Sequence, residues 1–185
     1  MNRQKTHGRG KVYALTQIGV MTAVICVLAP LSIPIGTVPI SFTNLAICLA
    51  LYILGWKKGT LSFLCYLVIG MAGVPVFSGF TGGVGKLLGP TGGYIIGFIP
   101  LAIISGLAIE KSRHPAVHFI GMVLGVAVCY TFGTAWFCYE AGVGLTKAMS
   151  ACVIPFIPGD LLKIVAAMLL GPAIRKGLQR SGLIE

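Results

Sequence analysis

A chain of 185 residues that is 56% hydrophobic and only 10% charged lacks the charge to cover a water-facing surface, which takes roughly 25–35% charged side chains. That excludes a soluble enzyme, and the apolar content excludes a disordered chain. The net charge of +10 does not indicate nucleic acid, because Lys and Arg stand in short clusters at the ends of long apolar runs rather than along one basic face. The expectation is an all-α integral membrane protein, multi-pass in the cell membrane (a bacterial plasma membrane) and surrounded by lipid.

The first eleven residues, MNRQKTHGRGK, hold four basic residues and no acid and read as a cytoplasmic tail. The apolar run 12–31 has about the length that a bilayer needs, roughly 20 residues. It ends in Ala29-Pro30 rather than a small-residue cleavage site, so it reads as a retained first helix. Pro30, Pro34 and Pro39, with no charge among them, make 31–41 a short apolar loop or re-entrant turn. A second span over 42–56 stops at Lys57-Lys58, and a third covers 60–74. Residues 75–93 form a glycine-rich outer loop. A fourth span covers 94–109 and a fifth 115–137. A short helix over 145–154 precedes the Pro155–Gly159 break and a last span from 160 to about 173.

The partition is therefore a basic tail (1–11), a membrane domain of six transmembrane helices (12–178) and a second tail (179–185). With both termini cytoplasmic, eleven of the fourteen Lys and Arg lie at inner ends, while Lys86 and Lys147 lie outside and Lys163 sits within the last span. That asymmetry follows the positive-inside rule. The second and third spans are short for a core of about 30 Å. Irregular backbone at membrane depth persists only where it is buried or lines a cavity, so a pocket open to the outside is expected.

Much chemistry is missing. The acids are Glu110, Glu140, Asp160 and Glu185, and no two of them share a helix face inside the membrane. His114 and His118 are spaced i, i+4 but have no accompanying carboxylate or cysteine, so they read as interface residues rather than metal ligands. The six cysteines are scattered singly through apolar stretches and read as buried thiols. A phosphate loop ending at Gly85-Lys86 fails, with Phe80 where glycine is needed and Leu87 where Ser or Thr is needed. Neither cofactor nor metal is implied.

Three features point to binding. Eight glycines fall between Gly73 and Gly93, interleaved with Phe77 and Phe80 and followed by Tyr94, unlike a solvated linker. This reads as a loop packed against a ligand and offering it backbone N–H groups. Asp160 and Lys163 are an i, i+3 pair on one face of the last helix, and an ionisable pair inside the membrane is a functional candidate by default. Asp160 also follows Pro158-Gly159, so an N-cap with Lys163 as counter-ion is a second reading, and both can hold. Gly19 and Ala23 set small-xxx-small spacing on the first helix, suited equally to a partner or to internal packing.

The stretch GVPVFSGFTGGVGKLLGPTGGYIIGF, with PGDLLK opening the last span, resembles the BioY family, the biotin-binding S components of energy-coupling factor (ECF) transporters. The resemblance covers essentially the whole chain. It implies no enzyme but a membrane subunit that captures biotin from outside and works with a transmembrane coupling subunit and two ATPases. Gly19 and Ala23 would then face the coupling subunit. Asp160 and Lys163 would hydrogen-bond biotin, Phe77 and Tyr94 would wall its ring, and Asn44 would be a further polar contact. Gly82, Gly83 and Gly92, or Lys86, would meet the carboxylate. Which end of biotin the pair holds stays open, as does an S component for thiamin or riboflavin. A membrane enzyme would need further ionisable pairs, and an autonomous carrier recurring polar positions or an inverted repeat.

Overall fold

The computed structural model describes residues 3–33 and 40–184, with side chains from residue 11 onward. Helix α1 spans Arg3–Leu28, so the helix continues into the basic tail. Strands β1 (Ser32–Ile33) and β2 (Ile40–Ser41) pair antiparallel, Ser32 opposite Ser41. Much of the loop expected at 31–41 lies outside the described residues. Helix α2 spans Thr43–Met71, α3 Val84–Leu88, α4 Gly92–Lys111, α5 Pro115–Ala141, α6 Leu145–Cys152 and α7 Ile157–Arg180. Five of these (α1, α2, α4, α5 and α7) are long and apolar enough to cross a membrane.

The second and third expected spans are the two arms of α2. Gly55, at φ 79° and ψ 172°, breaks the helical geometry between them. That region of backbone space is essentially restricted to glycine, and a Cβ on Gly55 would meet nothing within 4 Å. The kink is therefore a property of the backbone, not of crowding around it.

Helix α1 is clasped to the second arm of α2 by polar groups in an apolar setting. Thr22 Oγ1 donates to Ile18 O at 2.8 Å and lies 3.1 Å from Ser62 O; Ser62 Oγ donates to Lys58 O at 2.9 Å. Lys58 Nζ reaches Gln17 Oε1 at 2.9 Å. Gly19 and Ala23 are exposed, off this clasped face. At the end of the bundle beside Lys111, His118 Nε2 donates to Ser112 O (2.7 Å), which leaves Nδ1 as the acceptor for the Tyr52 hydroxyl (3.2 Å). The ring thus ties α5 to α2 through Nδ1 and to the end of α4 through Nε2.

Helices α4 and α5 approach through glycine. A Cβ on Gly97 would lie 3.0 Å from Cys129 O, and one on Gly125 would lie 2.7 Å from Ser105 Oγ. Gly93 packs under Trp136, Gly121 against Ala108, and Gly133 under the Tyr94 ring. Small residues take this role in membranes because lipid offers no hydrophobic drive between helices, leaving close van der Waals packing to hold them.

Candidate functional site

At the end of the bundle where α2, α4 and α7 begin lies a cavity with about 750 Å³ of empty space, its open mouth included. Such a size and a mostly apolar lining suit a small molecule. Thr43 and Asn44 of α2 enter its wall, as do Phe77 of the glycine-rich segment and Tyr94 and Phe98 of α4. Tyr130 of α5 and Asp160 and Lys163 of α7 complete it, the last two bringing its charged groups.

Helix α7 begins at Ile157, one residue before Pro158, because proline needs no N–H partner in the first turn. Asp160 consequently sits inside the first turn, its own N–H donating to Phe156 O at 2.8 Å. It is not the N-cap, which is Phe156, although its charge there still suits the positive end of the helix dipole. The expected pair with Lys163 is formed, Nζ to Oδ1 at 2.9 Å, with the two side chains only 13% and 11% exposed. The second carboxylate oxygen accepts from Tyr130 Oη at 2.6 Å. A carboxylate has about four acceptor positions and an ammonium three donors. Two acceptor positions on Asp160 and two donors on Lys163 remain after these bonds.

Opposite stands Asn44, 3% exposed. Its Oδ1 accepts from Cys48 Sγ at 3.5 Å, while its Nδ2 has no hydrogen-bond partner among the described residues. A buried unpaired donor costs about 1–3 kcal/mol, so its presence on a cavity wall marks a place for an acceptor brought by a ligand. Phe77 is 1% exposed and stands edge-on to Tyr66 at 5.6 Å. Tyr94 donates to Cys152 O at 3.4 Å and pairs with Thr134 Oγ1 at 3.2 Å. Both rings are held in place.

The glycines behave otherwise. The Gly83 amide donates to Gly70 O (2.7 Å) and the Gly92 amide to Gly89 O (2.9 Å), while Gly82 packs under Val74 O. Gly82, Gly83, Gly92 and Lys86 are not among the residues lining the cavity. Their stretch is fastened to the bundle instead, by Gly79 N–H to Pro30 O (3.0 Å) and by Trp136 Nε1 to Gly89 O (3.0 Å). The site thus gathers Asn44, Phe77, Tyr94, Asp160 and Lys163, and leaves the glycines and Lys86 behind its wall.

The BioY family model matches residues 2–180. The chain belongs to the BioY family. A relative from Thermotoga maritima, named biotin transporter BioY, is 38% identical over 162 residues, 88% of this chain and 95% of its own. BioY2 of Lactococcus lactis subsp. cremoris, also named a biotin transporter, is 31% identical over 92% of this chain and 94% of its own. A solved structure of the S-component for biotin from an ECF-type ABC transporter has a TM-score of 0.81 and 33% identity, covering 95% of this chain and 94% of that one. The helical arrangement of this BioY-family chain is thus that of an S-component.

Sequence reasoning alone missed Tyr66, Phe98 and Tyr130 of the BioY-family cavity. Tyr130 had a signal: a hydroxyl fifteen residues into an apolar helix needs a partner when buried. Nothing in the sequence names that partner, thirty residues away on α7.

Proposed function

We propose that this chain is the substrate-binding S subunit of an ECF-type vitamin transporter, that it captures biotin, and that Asp160 and Lys163 hold the ureido ring. The observation that carries this reading is the Asp160–Lys163 pair, shielded in a mostly apolar cavity with acceptor and donor positions left over. A cyclic urea presents two N–H donors and one carbonyl, the complement of a fixed carboxylate beside an ammonium. The thiophane ring lies between Phe77 and Tyr94, and Asn44 Nδ2 donates to a ligand oxygen. Biotin is cargo here, not a cofactor.

The wider reading has six transmembrane segments, the arms of α2 counted separately, with both termini cytoplasmic in the cell membrane and the cavity facing outward. Energy comes from a transmembrane coupling subunit and two ATPases, and Gly19 and Ala23, exposed on α1, contact the coupling subunit. Replacing both by Leu leaves biotin binding intact and removes co-purification with the coupling module; retained co-purification overturns that contact.

The decisive experiment is a calorimetric biotin titration of purified protein stripped of endogenous ligand. One-to-one binding without ATP is expected, with thiamin and riboflavin giving no heat. The same biotin binding should occur on right-side-out vesicles and be absent from sealed inverted ones. Folded protein that binds no biotin overturns the reading, and binding only on inverted vesicles overturns the orientation.

A further inference from the structure

A second cavity lies on the flank between α5 and α7, and the surface it exposes is apolar although Tyr130 and Asp160 border it. Ala127, Ile157 and Leu161 border it and are exposed on the outside of the bundle, so it opens toward lipid. Val126, Tyr130 and Asp160 border both this groove and the polar cavity. The carboxylate that the proposed function assigns to the ligand therefore stands in a thin partition, hydrocarbon on one side and ligand on the other.

A carboxylate in that position has one soft torsion. The χ2 angle of Asp is broad and roughly two-fold, and the Lys163 ammonium, a point charge on a flexible stem, follows Oδ1 as the plane turns. The Tyr130 hydroxyl, carried on a ring and 2.6 Å from Oδ2, holds the other oxygen, and with Cγ fixed by the chain and an oxygen held on each side the plane is set. The short length of this hydroxyl contact is that of a charge-assisted O–H···O⁻ bond, about twice as strong as a neutral one. With the plane set, the acceptor directions left on Asp160 are also set before any ligand arrives. Fixing them in advance lowers the ordering cost of binding.

We infer that Tyr130 is a positioning residue for ligand recognition, its hydroxyl locking the Asp160 carboxylate in the plane that meets the ligand's paired N–H groups. The inference rests on the biotin reading above. Tyr130→Phe keeps the ring in the partition and deletes only the hydroxyl, so folding and melting temperature stay near the parent's. Biotin affinity falls roughly tenfold to a hundredfold, the scale of one hydrogen bond to a charged group. In an Asp160→Asn background, titrated at high ligand concentration, the same change costs less than about threefold, since no carboxylate plane is left to set.

A second readout needs no ligand. The infrared carboxylate stretch identified by its loss in Asp160→Asn shifts in Tyr130→Phe, whereas a purely packing role leaves it in place. Wild-type-like affinity in Tyr130→Phe, an equal loss in both backgrounds, or an unmoved carboxylate band each overturns the inference. If the parent protein itself binds no biotin, the functional reading falls first and this one with it; parent binding with an unaffected Tyr130→Phe removes only the role of Tyr130.

Discussion

Asp160→Asn weakens biotin binding by roughly 10²–10⁴-fold, the largest loss expected from any single change in the cavity wall. Two ligand N–H groups directed at a carboxylate contribute about 1.5–3 kcal/mol each, because the acceptor is charged. The amide offers one oxygen in place of two and turns an N–H₂ toward a donor. It also removes the counter-ion of Lys163, 11% exposed in a mostly apolar setting, and stranding one member of a buried pair is costly. Calorimetry against the parent protein gives the number, and melting temperature separates lost recognition from lost folding. Affinity within about threefold of the parent in a folded variant would mean that the pair holds the bundle together and does not hold biotin.

Gly133→Ala lowers both stability and affinity, although Gly133 does not line the cavity. The added Cβ lands on the Tyr94 ring, and Tyr94 cannot swing aside without giving up Thr134 and the Cys152 carbonyl. Overpacking of this kind typically costs about 1–3 kcal/mol, seen as a lower melting temperature in detergent. Because Tyr94 forms part of the cavity wall, biotin affinity should drop about tenfold alongside. Adding Tyr94→Leu makes room for the methyl group and recovers much of the melting temperature without restoring affinity. A Gly133→Ala protein that melts and binds like the parent would show that α4 and α5 can separate freely at that level.

What was legible in the sequence was chemistry that violates its surroundings. Asp160 and Lys163 stand out because charge in an apolar run is costly, and a spacing of three is enough to assign them to one helix face. The short helix expected at 145–154 emerges as Leu145–Cys152 for similar local reasons. Glycine was the harder letter to read. Its abundance between Gly73 and Gly93 suggested backbone offered to a ligand, yet Gly82 and Gly92 are small because Val74 and Leu87 backbone crowd them. Close approach to a ligand and close approach to the chain itself demand the same residue. Two points concern continuity: Lys57-Lys58 marked the division between two spans, which falls at the Gly55 kink two residues earlier within one continuous helix, and the five-residue α3 is too short to leave a periodic trace. Tyr130 stayed hidden because a tyrosine in an apolar span counts as apolar until the opposite helix is in view.

The clasp between α1 and the second arm of α2 has a mechanical consequence. Thr22, Ser62, Gln17 and Lys58 bind the two helices side by side, so they form one board. The board runs on past Ser62 for eight residues, about 12 Å of helix, to Gly70, whose bare backbone is the seat of the Phe77 ring. Phe77 is part of the cavity wall. The bare surface at Gly19 and Ala23 and one wall of the cavity are therefore joined through a single unbroken packed unit, without a flexible loop between Ser62 and Gly70.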